Sequence, residues 1–208
     1  MIKMNITRAA WLGAALAACL MAGAAGAADA GKLAAVCADC HGAKGVSPEP
    51  DVPIIGGYSA EFMAGNLTAY KTKDRDCPAT KFRTGMKKGI TTDMCQIVQG
   101  FSEDDIKAVA EYFAAQPFVR AKQKFDPALA EKGKQLHEEK CEKCHSEGGS
   151  VASDDVGIPA GQWTPYLRQA CHEFREGKRP VPKKMKVKLD QLDEAAIEAL
   201  LNYYASFQ

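Results

Sequence analysis

The chain has 208 residues, 27 basic and 26 acidic side chains, a net charge of +1 with histidines neutral, and eight cysteines. A charge this balanced gives no basic field for nucleic acid, so no nucleic-acid partner is expected. Eight cysteines require an account in disulfides, metal or covalent attachment.

Lys3 and Arg8 open a segment that continues as an Ala, Leu, Gly and Met run from Ala9 to Ala25 and ends in the small residues Gly26, Ala27 and Ala28. That pattern is a secretory signal over residues 1–28, cleaved near Ala28. Leu16-Ala17-Ala18-Cys19 also has the form of a lipoprotein box, but the apolar run continues through Leu20 and Met21, so plain cleavage is preferred. No later stretch is apolar enough to span a membrane. The expectation is a periplasmic, non-transmembrane protein of mature charge −1 (25 − 26).

Apolar spacing then predicts helices in chain order. One covers 30–40 and leads into Cys37-Ala-Asp-Cys40-His41; a second covers 59–72; a third covers 103–115. A linker over 117–126 separates a first domain, 29–116, from a second, 127–208. The second begins with a helix over 127–143, leading into Cys141-Glu-Lys-Cys144-His145, followed by helices over 163–176 and 194–206. Ser102 and Asp193 are the expected N-caps of the two final helices, and Ser102 with Asp105 forms a capping box. Ile106, Val109, Ala110 and Phe113 recur as Ile197, Leu200, Leu201 and Tyr204, each one buried face. No strand alternation is evident, so the fold class is all-α.

Two C-x-x-C-H motifs are the attachment signature of two c-type haems. The thiols at i and i+3 can each take one vinyl group, and the following imidazole becomes the axial ligand. This assigns Cys37, Cys40, Cys141 and Cys144 to attachment, and His41 and His145 to iron. A zinc site would have to join pairs 104 positions apart and would leave both histidines idle. A thiol redox pair calls for a βαβ context that is absent.

The halves are a tandem repeat. An offset of 104 maps Ile54, Gly57, Phe62, Tyr70 and Arg75 onto Ile158, Gly161, Tyr166, Phe174 and Arg179; an offset of 91 then maps Phe101 onto Leu192. The first half therefore carries 13 extra residues (104 − 91) between Arg75 and Met94. The second offset pairs Met94 with Met185, the expected sixth ligands. Met86 and Met63 compete with Met94; His172, inside a helix, competes with Met185. Such ligation leaves no open iron position and suits electron transfer.

Three cysteines remain in the mature chain. Cys77 and Cys95 bracket the insertion and are expected to form a disulfide. Cys171 sits at the position of Leu67 and reads as a buried inert thiol. His137 reads as a solvated surface side chain. Lys178, Arg179, Lys183, Lys184, Lys186 and Lys188 surround Met185 as a basic ring suited to an acidic redox partner.

Tandem class I cytochrome c domains of this kind resemble dihaem cytochrome carriers. More closely, Gly161-Gln162-Trp163-Thr-Pro-Tyr-Leu167, Glu173-Phe174-Arg175-Glu-Gly-Lys-Arg179-Pro180 and Pro182-Lys-Lys-Met185 are similar to the cytochrome subunit of the flavocytochrome c sulfide dehydrogenases. The resemblance implies a heterodimer with an FAD-containing sulfide dehydrogenase subunit. Electrons would pass from FAD to haem to a soluble acceptor such as a small cytochrome c. This chain would have no catalytic residue of its own, and it lacks a dinucleotide fingerprint. The alternatives are a free-standing dihaem carrier to a terminal oxidase, or a dihaem enzyme oxidising sulfur compounds.

Overall fold

The computed structural model describes the backbone of residues 23–208 and the side chains of residues 30–208. The expected export signal up to residue 22, Cys19 included, lies outside the described residues. The first unit comprises α1 (Gly23–His41), α2 (Ala60–Lys71), a hairpin of β1 (Thr80–Lys81) and β2 (Thr91–Thr92), α3 (Met94–Val98) and α4 (Glu103–Ala114). The second comprises α5 (Pro127–Lys140), the short turn α6 (Ser146–Gly149), α7 (Thr164–Arg175), α8 (Lys183–Leu189) and α9 (Glu194–Ala205).

Local chemistry sets most of these boundaries. Ser59 and Asp193 each accept an N–H of the first turn they cap, from Phe62 and Ala196. Ser102 and Asp105 form the reciprocal capping box at α4. Asp126 caps α5, whose first residue is Pro127, a position where the missing N–H costs nothing. Helix α1 begins earlier than the apolar spacing predicted, because the residues before Ala30 are mostly alanine, the strongest helix former. Helix α5 ends at Lys140, short of the expected 143; Cys141 is its C-cap.

The hairpin corrects the expectation of no strands. It lies within the insertion, antiparallel, with Thr80 opposite Thr92 and Lys81 opposite Thr91. Two residues per strand are too few for a period of two to register in a sequence.

Each unit has a core, and the first also takes in Ile158 of the second unit. Ile106, Val109 and Phe113 of α4 pack with Met63 and Leu67 of α2 and Ala34 and Cys37 of α1. Ile197, Leu200, Leu201 and Tyr204 of α9 pack with Leu189 and Leu192. Helices α5 and α9 make the tightest crossing: a Cβ on Gly133 would strike the Ala199 carbonyl. The segment over 117–126 is irregular but not loose. Ala121 is buried and its N–H reaches the Gly161 carbonyl at 2.7 Å, while Gln123 donates to the Gln162 carbonyl at 2.7 Å.

The units meet along a polar, buried seam. Gln162 is fully buried; its Oε1 accepts from Ile54 N–H at 3.0 Å, and its Nε2 donates to the Ile54 carbonyl at 2.8 Å and the Tyr58 hydroxyl at 2.9 Å. The Trp163 indole donates to the Ser47 carbonyl at 2.9 Å, and Asp76 N–H to the Lys178 carbonyl at 2.8 Å. Arg75 donates to Glu173 at 3.2 Å and to Asn66 at 3.0 Å; Arg179 donates to the same Asn66 oxygen at 3.1 Å. The repeat-equivalent arginines thus converge on one acceptor. Arg179 is buried there, over the Phe174 ring, and does not belong to the surface basic ring predicted from the sequence.

Candidate functional site

The first C-x-x-C-H motif lies at the C-terminal end of α1, so Cys37 faces the core and Cys40 and His41 follow within one turn. A cleft opens beside them, lined by Cys37, Cys40, His41, Pro53, Ile55, Tyr58, Phe62, Met63, Leu67 and, from α3, Met94. The structure therefore brings Cys37, Cys40, His41 and Met94 to one cavity with mostly apolar walls. Pro78, Thr80 and Thr92 of the insertion also line it, as do Arg75 and Arg179.

The Nδ1 of His41 lies 2.9 Å from the Pro53 carbonyl. A carbonyl only accepts, so the proton sits on Nδ1 and Nε2 keeps a free lone pair for a metal. Burial lowers the His41 pKa, which favours the neutral, ligating form; the Pro53 bond pulls weakly the other way. Burial also pushes the Cys37 thiol up to about 12.

Three methionines were candidates opposite His41. Met86 is wholly exposed on the hairpin, at 104% of its reference area, and is not among the cleft-lining residues. Met63 lines the cleft but is locked into the α2 core. Met94 is half-buried at the start of α3, on the cleft wall. Cys77 and Cys95 form a disulfide, with Cα atoms 5.8 Å apart, which ties the base of the insertion to the residue next to Met94.

The second set lies on repeat-equivalent elements. Cys141 packs against the second core, Cys144 is exposed, and His145 is half-buried. Met185 is half-buried on α8, which ends at Leu189 as α3 ends at Val98, again 91 residues apart. Both methionines thus stand on short helices rather than in open loops. Burial lowers the His145 pKa as it does that of His41. Its Nδ1 is buried without a partner in hydrogen-bond geometry, yet the Gly157 carbonyl, repeat equivalent of Pro53, acts on it in the same sense.

His137 is the clear departure from expectation: it is fully buried. Its Nε2 faces Glu142 Oε2 at 2.7 Å and the His145 carbonyl at 3.0 Å, and its Nδ1 faces the Tyr204 hydroxyl at 2.9 Å. Two acceptors at Nε2 place the proton there and leave Nδ1 to accept from Tyr204. The first half has Leu33, Ala38 and Phe113 at the corresponding places, so a polar network replaces an apolar one beneath the second motif. The pairing of His137 with a tyrosine 67 positions away is the signal a local reading lacks. Cys171 is half-buried, and burial raises its thiol to about 11, which keeps it protonated and unreactive.

The donor set fits a haem c: two thiols one turn apart, an imidazole with its free nitrogen set by a carbonyl, and apolar walls with a thioether among them. Both imidazoles are drawn toward the neutral form by burial, with Nδ1 facing a repeat-equivalent carbonyl, Pro53 or Gly157, so the chemistry of each fits a ligand through Nε2.

Comparison with known proteins agrees. A family model described as Cytochrome c matches residues 27–116. Cytochrome c4 of Stutzerimonas stutzeri is 32% identical over 200 residues, 88% of this chain and 90% of that protein. Cytochrome c4 of Pseudomonas aeruginosa is 29% identical over 198 residues, 87% of this chain and 90% of that protein. The crystal structure of reduced recombinant cytochrome c4 from Pseudomonas stutzeri superposes with a TM-score of 0.69 at 27% identity, covering 87% of this chain and 97% of that one. Tandem cytochrome c domains, covalently bound haem c and an electron-carrying role come with that kinship. The chain belongs to the dihaem, cytochrome c4-like family of class I cytochromes c.

Proposed function

We propose that the protein is a periplasmic dihaem relay, exchanging single electrons between a dehydrogenase and a soluble acceptor such as a small cytochrome c. Domains over 29–116 and 127–208, joined by 117–126, each hold one haem. Cys37 and Cys40 would attach the first and Cys141 and Cys144 the second; His41 with Met94, and His145 with Met185, would ligate the irons. The bound group supplies a one-electron iron couple. Pro53 orients the His41 ring, and the apolar side chains Ile55, Phe62 and Leu67 exclude water from the cleft. With a histidine and a methionine both given to the group in each domain, no position would be left for substrate, which would favour transfer over catalysis. The observation carrying this reading is the shared cleft of Cys37, Cys40, His41 and Met94.

The donor distinguishes two versions. The resemblance to flavocytochrome c sulfide dehydrogenases would give an FAD-bearing partner subunit. Yet the stretch behind it runs into the seam: Gln162, Glu173 and Arg179 are buried between the two units of this chain. Those residues answer to a tandem architecture and are not available to a flavoprotein, so the free-standing carrier is the better supported version. Mild purification from the native host tests it. A lone chain with two c haems, unreduced by sulfide, is expected; a co-purifying FAD subunit that reduces the haems on adding sulfide would restore the flavocytochrome version.

A further inference from the structure

The two C-x-x-C turns differ in what covers them. In the first, the insertion is fastened onto the turn itself. The Asp39 carbonyl, between the two cysteines, accepts from Arg83 N–H at 3.0 Å, Thr84 N–H at 2.9 Å and the Thr84 hydroxyl at 3.1 Å. Arg83 also pairs with Asp51 at 2.6 Å, and Cys40 Sγ lies 3.9 Å from the Lys81 carbonyl. Gly85, at φ +71°, lies against the Asp39 carboxylate, and a Cβ there would push that side chain aside. Phe82 is buried, and the Cys77–Cys95 disulfide closes the base of the hairpin. Cys40 is consequently half-buried.

The second turn has no counterpart to this hairpin. Lys143 stands at the place of Asp39 and is exposed, and Cys144 is exposed. Nearby, α8 carries Lys183, Lys184 and Lys188 on the surface, along with the exposed Val187. Lys188 is close enough to Cys141 to oppose the rise of its thiol pKa. Lys178 and Lys186 are already paired, with Glu176 and Asp190 at 2.6 Å each. The hairpin also bears exposed lysines, Lys81, Lys87 and Lys88, so positive charge alone does not choose between the two ends. Cover does: electron transfer falls steeply with the gap between cofactors, and a partner seated on the hairpin is held away by its thickness.

We propose that the hairpin shuts the Cys40 side of the first domain against redox proteins, so that an acidic one-electron carrier docks and takes its electron at the Cys144 side of the second. One electron leaves the reduced chain and reduces the carrier, and no proton or bond is involved. The inference rests on the dihaem reading, so two haems per chain are first verified by the alkaline pyridine spectrum, where failure of that reading would appear by itself.

The test is zero-length carbodiimide cross-linking of the holoprotein to an acidic blue-copper protein at low ionic strength, followed by peptide mapping. Cross-links are expected at Lys143, Lys183, Lys184 and Lys188. Attachment at Lys81, Lys87 or Lys88 as the main product would overturn the proposal, and would assign docking to the hairpin with its exposed Met86 and Ile90. In parallel, the Lys183→Glu/Lys184→Glu/Lys188→Glu variant should slow electron transfer to the same protein by about tenfold at low salt. The Lys81→Glu/Lys87→Glu/Lys88→Glu variant should leave the rate within about twofold. Equal slowing in both variants, or in neither, would also refute it.

Discussion

Met86 and Met94 show how far position decides what a residue can do. Both have the same thioether, both follow the first haem motif within the same half, and Met86 even falls in the segment peculiar to this half. Only Met94 reaches the cleft; Met86 is fully in solvent. Met94→Ala should abolish the methionine-to-iron charge-transfer band of one haem and leave that of the other, and Met86→Ala should change neither. The pairing of Met94 with Met185 was legible in the sequence because a repeat carries its own register. The burial of His137 was not legible. It depends on His137, Glu142 and Tyr204 together replacing Leu33, Ala38 and Phe113, a joint change at three separated positions that no local window contains. Arg179 was misplaced for a similar reason: a run of cations in sequence says nothing about which one turns inward.

At the scale of elements, caps and helix faces were read closely because their causes are local. Ser102 N–H and hydroxyl both donate to Asp105, at 2.8 Å each, and hold its carboxyl below the usual carboxylate range. A depressed folded pKa means that the contribution is present above the unfolded value, about 3.9, and is lost as pH falls through the folded value. Asp105→Asn should therefore lower the urea midpoint at pH 7 and converge with the unaltered protein in strong acid. The hairpin was missed because it is held by its ends and by its docking on Asp39, not by alternation. Its disulfide closes a loop of 18 residues in sequence separation. For loops near this length the chain-entropy model gives about 3 kcal/mol. The Cys77→Ser/Cys95→Ser variant should lose about that much in denaturant unfolding, read as a lower midpoint of the single cooperative transition.

For the whole molecule, the seam matters as much as either cleft. It is built from Gln162, Asn66, Arg75, Glu173 and Arg179, charged and polar groups that satisfy one another away from water. A buried pair of this kind adds little relative to apolar packing, but losing one partner strands the other. Glu173→Ala removes the carboxylate that balances the buried Arg75 guanidinium, whose Nε already lacks a hydrogen-bond partner. A loss of about 3–5 kcal/mol is expected, and calorimetry should resolve one cooperative transition into two as the domains uncouple. From sequence, the repeat announced two domains but not how they face each other, because the seam joins residues about a hundred positions apart.

The central claim is that each domain holds one covalent haem between a histidine and a methionine. Near-infrared magnetic circular dichroism of the oxidised holoprotein, calibrated to haem content, tests it most directly. The account predicts a histidine–methionine charge-transfer band with the intensity of two haems per chain. A bis-histidine band, a high-spin signal, or intensity for one haem only would contradict it.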